Sequence, residues 1–544
     1  MQEKQIFSVQ VDCARNAVLT VESLKRFIDY ISAMGYNGME IYTEDVFEID
    51  GEPMHGYLRG KYSKAELKEV VAYGESKGVT LYPDVECLAH LEHMFLWPDY
   101  QKIRDTKNIL LVGEEETYKF IDRMFKTLRE CFNSDIANIN LDEADLLGLG
   151  KYLKRNGYTD PHKILLEHLN RVSDIAEKYG FRVKMSSDLF FTLSGAHYYD
   201  YDKTEMITQE IIDMVPSNCD LCYWDYFGNV EGVKKRLATH KKFNNPLWFA
   251  GSAMNWTTYT PHNMHSIECT PYQMEACAEE GIKMIDIRLW GDDGGECSPF
   301  ATLPALLYAV EWYNGNHDHE SIKKKFYDIV GIKMDDFLLL DKATDYHNKS
   351  SDFCSSKVCL FNDPFCGWHD DIIGEEGSHD FEERCAAVAP KLYALKDNKD
   401  FGYLFDMAGA LCELQSKRFM LGKKTRAAYK AGDKEALKEL CKLYDENIEL
   451  VDKFYKRFKF EWRKERKGNG FEVQAIRFGG LKQRLFDCKE MLLSYINGDI
   501  EKIEEMDEDI IPIPNIADNH NFKNNKYGKI VTVNSLSHYN FEWL

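Results

Sequence analysis

The sequence predicts an α/β fold: a (β/α)₈ barrel over residues 1–318, followed by a mainly helical domain over residues 319–544. Three observations predict it. Between residues 6 and 315, short β-rich runs alternate with longer runs of 3.6-residue period, eight times over. From about Ser321 the strand signals vanish and amphipathic helix patterns take their place. The turn after the first strand-like run reads Asp12-Cys13-Ala14-Arg15-Asn16, without the glycines of a nucleotide-binding turn, which argues against a doubly wound sheet.

In order, Phe7 to Cys13 reads as a strand and Val21 to Met34 as a helix. Gly38 to Thr43 precedes the helix Lys64 to Ser76, and Val79 to Val85 precedes Glu116 to Cys131. Ile136 to Leu141 precedes His162 to Tyr179, and Arg182 to Ser186 precedes Glu205 to Met214. Leu221 to Trp224 precedes Glu231 to Lys241, and Leu247 to Ala250 precedes Pro271 to Glu280. Met284 to Trp290 precedes Pro304 to Trp312 and completes the eighth unit. In the second domain Lys391 to Leu421, Lys434 to Arg457 and Phe471 to Ile496 read as helices. Ser351 to His379 reads as irregular, and Lys529 to Val533 as a strand that packs back.

Hydrophobic residues make up 44% and charged residues 29% of the 544, the balance of a globular protein. The formal net charge of −22 disfavours nucleic acid and anionic membranes as partners. No apolar run reaches the roughly 18 residues of a membrane-spanning helix. Met1 to Gln5 is polar, no signal peptide is read, and the 15 cysteines have no regular spacing. Cys219 and Cys222 lie three apart in a strand pattern and face opposite sides. A reducing cytoplasmic location is therefore expected.

Chemistry in such a barrel sits at the carboxyl ends of the strands. The fourth strand ends in the adjacent carboxylates Asp142-Glu143, then a glycine-punctuated loop to Gly150. Other Asp-Glu pairs, Asp445-Glu446 and Asp507-Glu508, sit in polar helical stretches and read as solvated surface. The remaining ends carry Asp12 and Arg15; Glu44 and Asp45; Asp84, Glu86 and His90; Asp188; Tyr223, Trp224, Asp225 and Tyr226; Trp256 and Tyr259; and Trp290, Asp292 and Asp293. An acidic, aromatic mouth suits a neutral sugar, because rings stack on its apolar face and carboxylates accept from its hydroxyls. Trp224 and Trp290 read equally as core or stacking residues, Arg15 as a sugar ligand or an ion-pair partner, and His90 as an orienting or an acting group.

At these residues the chain resembles glycoside hydrolase family 20, the β-N-acetylhexosaminidases. The resemblance is to a bacterial branch whose motif D-E-A-x-L-x-G-L-G appears here as Asp142 to Gly150. It extends to Asp12 to Val18, Tyr42 to Asp45 and Trp290 to Cys297. The resemblance implies substrate-assisted catalysis. Glu143 would protonate the glycosidic oxygen, and Asp142 would orient the 2-acetamido group, whose oxygen attacks the anomeric carbon to give an oxazolinium ion. Arg15 would hold distal hydroxyls, Trp290 would be the platform under the sugar, and Asp292 would bind the hydroxyls at positions 4 and 6. Glu44, His90, Asp188, Tyr223, Trp224, Trp256 and Tyr259 complete the expected binding set, and Tyr223, Tyr226 and Tyr259 are the candidates to hold the acetamido oxygen. Asn138 and Asn140 depart from the His and Gly of many members, Met185 stands near a common Trp, and Asp292 stands where Glu is common. The small α/β domain that usually precedes the barrel is not expected. No metal or cofactor is expected, and the partner is a small glycan. Two rival readings remain: a divalent-metal sugar isomerase or epimerase with oxygen ligands from Glu44, Glu86, Asp142, Asp188 and Asp225, although such sites usually recruit histidines and His90 is the one histidine at a strand end, and a barrel that binds glycans without cleaving them.

Overall fold

A computed structural model describes residues 5–193, 207–292, 294–348, 354–370, 373–374 and 377–511. Eight parallel strands close on themselves in chain order: β1 (Ile6–Asp12), β2 (Gly38–Tyr42), β3 (Thr80–Asp84), β4 (Ile136–Asn140), β5 (Arg182–Ser186), β6 (Cys219–Trp224), β7 (Leu247–Ser252) and β8 (Met284–Leu289), with β8 pairing back onto β1. A helix follows each strand: α1 (Val21–Met34), α2 (Lys64–Ser76), α3 (Glu115–Cys131), α4 (Pro161–Lys178), α5 (Gln209–Met214), α6 (Val230–His240), α7 (Asn263–Glu279) and α8 (Leu303–Tyr313). The caps are local and readable. Thr20 accepts from the Ser23 amide, Ser63 and Glu66 form a capping box, and Asp160 caps the His162 amide just before Pro161.

Strand alternation divides the barrel into two environments. Val9, Ile41, Leu81, Ile139, Val183, Leu221, Phe249 and Ile287 face the helices and join one large apolar core. Many inward positions are charged or polar, beside a smaller apolar cluster that includes Ile6, Ile136 and Trp248, where barrels of this class usually carry branched apolar residues throughout. Lys184 pairs with Glu40 and lies 3.5 Å from Asp286, which Arg288 approaches at 3.4 Å. Asn138 donates to Glu40 and Ser8 to Asp286, and the Lys184 ammonium sits 4.5 Å from the Trp248 ring centroid. Gly38 is required beside this layer, since a Cβ there would lie 2.8 Å from that of Ser8. Burial and the charge of Glu40 push the Asp84 carboxyl well above its ordinary range. Buried charges on this scale persist only when paired and hydrogen-bonded.

After the barrel the chain is mostly helical: α9 (His319–Val330), α10 (Ser356–Phe361), α11 (Phe381–Tyr393), α12 (Gly402–Arg418), α13 (Leu421–Lys430), α14 (Lys434–Glu465) and α15 (Phe471–Asn497). Four expectations need correction. The helix expected over Lys391 to Leu421 is two, α11 and α12, and Gly402 fits the turn because a Cβ there would meet the Lys396 carbonyl oxygen at 2.0 Å. The helix expected to begin at Pro271 begins at Asn263 and holds that proline in its interior. Ser356–Phe361 is a helix inside the stretch expected to be irregular. The helix expected to stop at Arg457 runs on to Glu465. The start of the fifth helix expectation and the strand over Lys529 to Val533 lie outside the described residues.

Candidate active site

The turn after β4 is built against backbone preference. Asn140, Leu141 and Glu143 all have positive φ, at 53°, 63° and 53°. Non-glycine residues hold this conformation only when their surroundings over-determine it. The register slips between Asn138 and Asn140. The Asn140 amide side chain donates to Asp84 Oδ1 at 2.7 Å and to the Val85 carbonyl at 3.2 Å, and its backbone N–H donates to Asn138 Oδ1. Leu141 and Ala144 are buried in the apolar core and pin the turn from the other side. The Glu143 N–H donates to Asp188 Oδ2 at 3.1 Å. Asn16, Glu44, His90 and Thr257, on neighbouring mouth loops, are left-handed too.

The turn gives the two carboxylates unequal environments. The Glu143 side chain is 35% exposed and looks out of the mouth, whereas that of Asp142 is 10% exposed. His90 Nε2 lies 3.6 Å from Glu143 Oε2 and 3.9 Å from Asp142 Oδ2. Behind it, Glu86 is pushed well above the ordinary carboxylate range by burial and by the charge of Asp142, and accepts from the Tyr42 hydroxyl at 3.0 Å. Asp188 is also raised, by burial and then by Asp142.

The opposite rim is held by Arg15, which reaches Glu44 at 3.0 Å, Asp12 at 3.5 Å and Asp292 at 3.8 Å. Burial alone would raise Glu44, but Arg15, His93 and Arg59 hold it down at about 2. Burial dominates at Asp12 and pushes it up to about 6. The Asp292 side chain is 41% exposed and faces the opening.

Four aromatic residues wall the mouth. Trp224 stacks on Tyr226 at 5.3 Å and 27°, and Tyr226 meets Trp256 edge-on at 5.4 Å. Trp290 donates through its indole N–H to the Tyr226 hydroxyl at 2.7 Å and lies edge-on to Tyr42. The Trp224 indole N–H approaches Asp188 Oδ1 at 3.4 Å.

Two expected site residues lie elsewhere. Tyr223 has the opposite strand parity to Trp224, so it faces the helix layer; its ring stacks on His240 and its hydroxyl donates to Asp225 at 2.6 Å. Tyr259 is buried against Phe454, Phe458 and Phe478 of α14 and α15. Of the three candidate tyrosines, Tyr226 is the one in the mouth. Tyr42 and Glu86 stand behind His90; the sequence places both at strand ends and offers Glu86 as a possible metal ligand, but neither belongs to the expected sugar-binding set.

Glu86, His90 and Asp142 present ligand atoms within 4.8 Å of one another and are the group, among the described residues, that could hold a cation. The other residues of the metal reading are otherwise engaged. Glu44 is paired with Arg15, Asp188 holds the Glu143 N–H, and Asp225 is bound by Arg236 and by the Phe227 and Gly228 amides.

A closed parallel barrel whose mouth joins an exposed acid, a buried carboxylate and an aromatic wall is equipped to break sugar linkages. Residues 8–266 match the profile described as the glycosyl hydrolase family 20 catalytic domain, and residues 335–524 match the Glycoside Hydrolase 20C C-terminal domain. The chain carries matches to both the catalytic and the C-terminal domain of glycoside hydrolase family 20. A β-hexosaminidase of Akkermansia muciniphila is 25% identical over 167 residues, covering 25% of this chain and 34% of that protein. One from Vibrio furnissii is 24% identical over 209 residues, covering 30% and 34%. The chain thus matches about a third of the length of these relatives. Among solved structures, the chitobiase of Flavobacterium johnsoniae is similar at a TM-score of 0.47 and 14% identity, covering 84% of this chain and 78% of that one. A β-N-acetylhexosaminidase from Bacteroides fragilis has a TM-score of 0.45 and 18% identity, covering 60% and 69%.

Proposed function

We propose that the enzyme is an exo-acting, retaining β-N-acetylhexosaminidase that removes terminal β-linked GlcNAc or GalNAc by substrate-assisted catalysis. The observation that carries this reading is the pairing of consecutive carboxylates on one strained turn, one open to the mouth and one nearly buried. Side chains from adjacent residues of one turn are poorly placed to flank a sugar ring from opposite faces, as two-carboxylate schemes require. They are well placed to serve one side of a reaction whose nucleophile belongs to the substrate.

Glu143 gives its proton to the glycosidic oxygen as the bond to the anomeric carbon breaks. Asp142 accepts from the acetamido N–H and stabilises the positive charge that develops as the acetamido oxygen closes on that carbon. His90 orients Glu143, backed by Glu86 and Tyr42. Water activated by Glu143 then opens the oxazolinium ring with retention. Trp224, Tyr226 and Trp256 enclose the acetamido group, Trp290 underlies the ring, and Arg15 and Asp292 take the distal hydroxyls. The fifteen thiols, none in a disulfide, support a site of action in the reducing cytoplasm; isolation of the native protein in a disulfide-bonded form would count against that location.

The test is hydrolysis of an aryl N-acetyl-β-glucosaminide beside the matching β-glucoside, with and without chelator. The first should be turned over and the second should be almost inert, and chelation should change neither. Loss of activity with chelator would favour a cation held by Glu86, His90 and Asp142. Glu143→Gln should spare substrates with acidic phenol leaving groups far more than disaccharides. Asp142→Asn should slow both by about 10²–10³.

A further inference from the structure

The two sides of the mouth are fastened by different parts of the chain. The catalytic side is held by the barrel itself, through Asn140 on Asp84 and the Glu143 N–H on Asp188. The sugar-recognition side is held from the helical region. Glu296, four residues beyond Asp292, is fully buried and receives Arg477 of α15 at 2.6 Å, Lys357 of α10 at 2.9 Å and Gln474 of α15 at 3.0 Å. Arg466 donates to the Cys297 carbonyl at 2.8 Å, and Ser298 donates to Glu465 at 2.7 Å.

The same region grips two more loops. After β1, the Thr20 and Lys467 amides donate to the Glu465 and Val18 carbonyls across the junction. Gly470, at φ +89°, comes so close to Asn16 that a Cβ would lie 1.7 Å from its carbonyl oxygen. After β7, Thr258 shares hydrogen bonds with Thr344 and Ser356 at 2.9 and 2.8 Å. The three loops are knitted together: Asp12 accepts from the Ala14 and Gly291 amides, and the Thr257 amide donates to the Asp292 carbonyl. They carry Arg15, Trp256, Trp290 and Asp292.

We infer that the helical region is a working part of the active site, in which Arg477 and Lys357, acting through Glu296, are positioning residues that set the affinity for the sugar ring and leave bond cleavage to the barrel. The inference rests on the function proposed above. Its physical basis is desolvation. Three fully buried charges lock one geometry, because any displacement of the loop separates ions that have no water to replace the partner. Asp292 and Trp290 share that geometry because the Gly294 and Gly295 amides, next to Glu296, donate to the Gly291 carbonyl at 3.1 and 2.7 Å.

Arg477→Met tests it, since Lys357 and Glu296 remain as a pair. KM for the aryl N-acetylglucosaminide should rise about tenfold, the size of one lost charge-assisted hydrogen bond. The inhibition constant of free GlcNAc should rise in parallel. The turnover number should stay within about threefold and its pH profile should not move, the signature of lost uniform binding. Arg477→Lys should recover most of the affinity. Lys357→Met, which keeps the Arg477–Glu296 pair, should show the same split if the first variant fails to fold. An unchanged KM with a lower melting temperature would make the cluster merely structural, and a fallen turnover number at constant KM would place it in the chemistry; either overturns the inference. Wild-type turnover reports separately on the function. Were another glycoside the substrate, the same split would be read on that one.

Discussion

Asn140 does the work of a glycine and of an anchor. Its φ of 53° is tolerated by asparagine better than by other residues with a Cβ, and its side chain fastens the turn to Asp84 and Val85. The two contributions separate by substitution. Asn140→Gly removes the hydrogen bonds and keeps the conformation. Asn140→Ala removes the bonds and adds backbone strain of roughly 1 kcal/mol. The alanine variant should therefore unfold at lower urea and cleave the aryl glycoside more slowly than the glycine variant. Equal losses would show that the side-chain bonds alone hold the catalytic pair.

At the scale of the element, strand parity sorts residues that the sequence leaves equivalent. Tyr223 and Trp224 are neighbours of similar character, and only the register of β6 in the closed barrel sends Trp224 into the mouth and Tyr223 into the helix layer. Tyr226→Phe removes the acceptor for the Trp290 indole and should weaken inhibition by GlcNAc by about an order of magnitude. Tyr223→Phe should lower the melting temperature and leave KM near that of the wild type. The strands themselves were legible because their helix-facing residues are apolar in every one, and the catalytic pair because it follows the fourth. The inward parity was not legible. It depends on pairing between strands about 40 residues apart, and in this barrel the inward positions mix charges with apolar residues such as Tyr82, Cys222 and Trp248, so hydrophobicity does not mark the face. Pro271 misled for a local reason: proline usually opens a helix, and here it lies inside one.

For the whole molecule, the least legible feature was the junction between barrel and helices, since Glu296, Lys357 and Arg477 carry no local pattern that announces their meeting. A second tie at that junction gives it a pH dependence. Asp341 accepts from the Asn263 side chain at 3.1 Å and the Met264 amide at 2.7 Å, and burial pushes its carboxyl up to about 7. The folded state then keeps a proton that the unfolded chain releases near pH 4. Stability from this group falls as pH rises from about 4 to about 7, by a few kcal/mol at most. Asp341→Asn cannot titrate, so its melting temperature should fall less over that range than the wild type's. Parallel slopes would assign the pH dependence to other carboxyls, such as Asp12, raised to about 6.

The charged layer inside the barrel also bears on how such a chain comes together. Its members come from far apart: Glu40 from β2, Asn138 from β4, Lys184 from β5, and Asp286 and Arg288 from β8. A half-formed barrel of the first four strands would enclose Glu40 without its lysine, and one of the last four would enclose Lys184 without Glu40. Apolar inner layers reward each added strand a little, whereas the Lys184–Glu40 pair forms only when the two halves meet. Half-barrels, each with one of these two charges short of its partner, are thereby disfavoured as resting states.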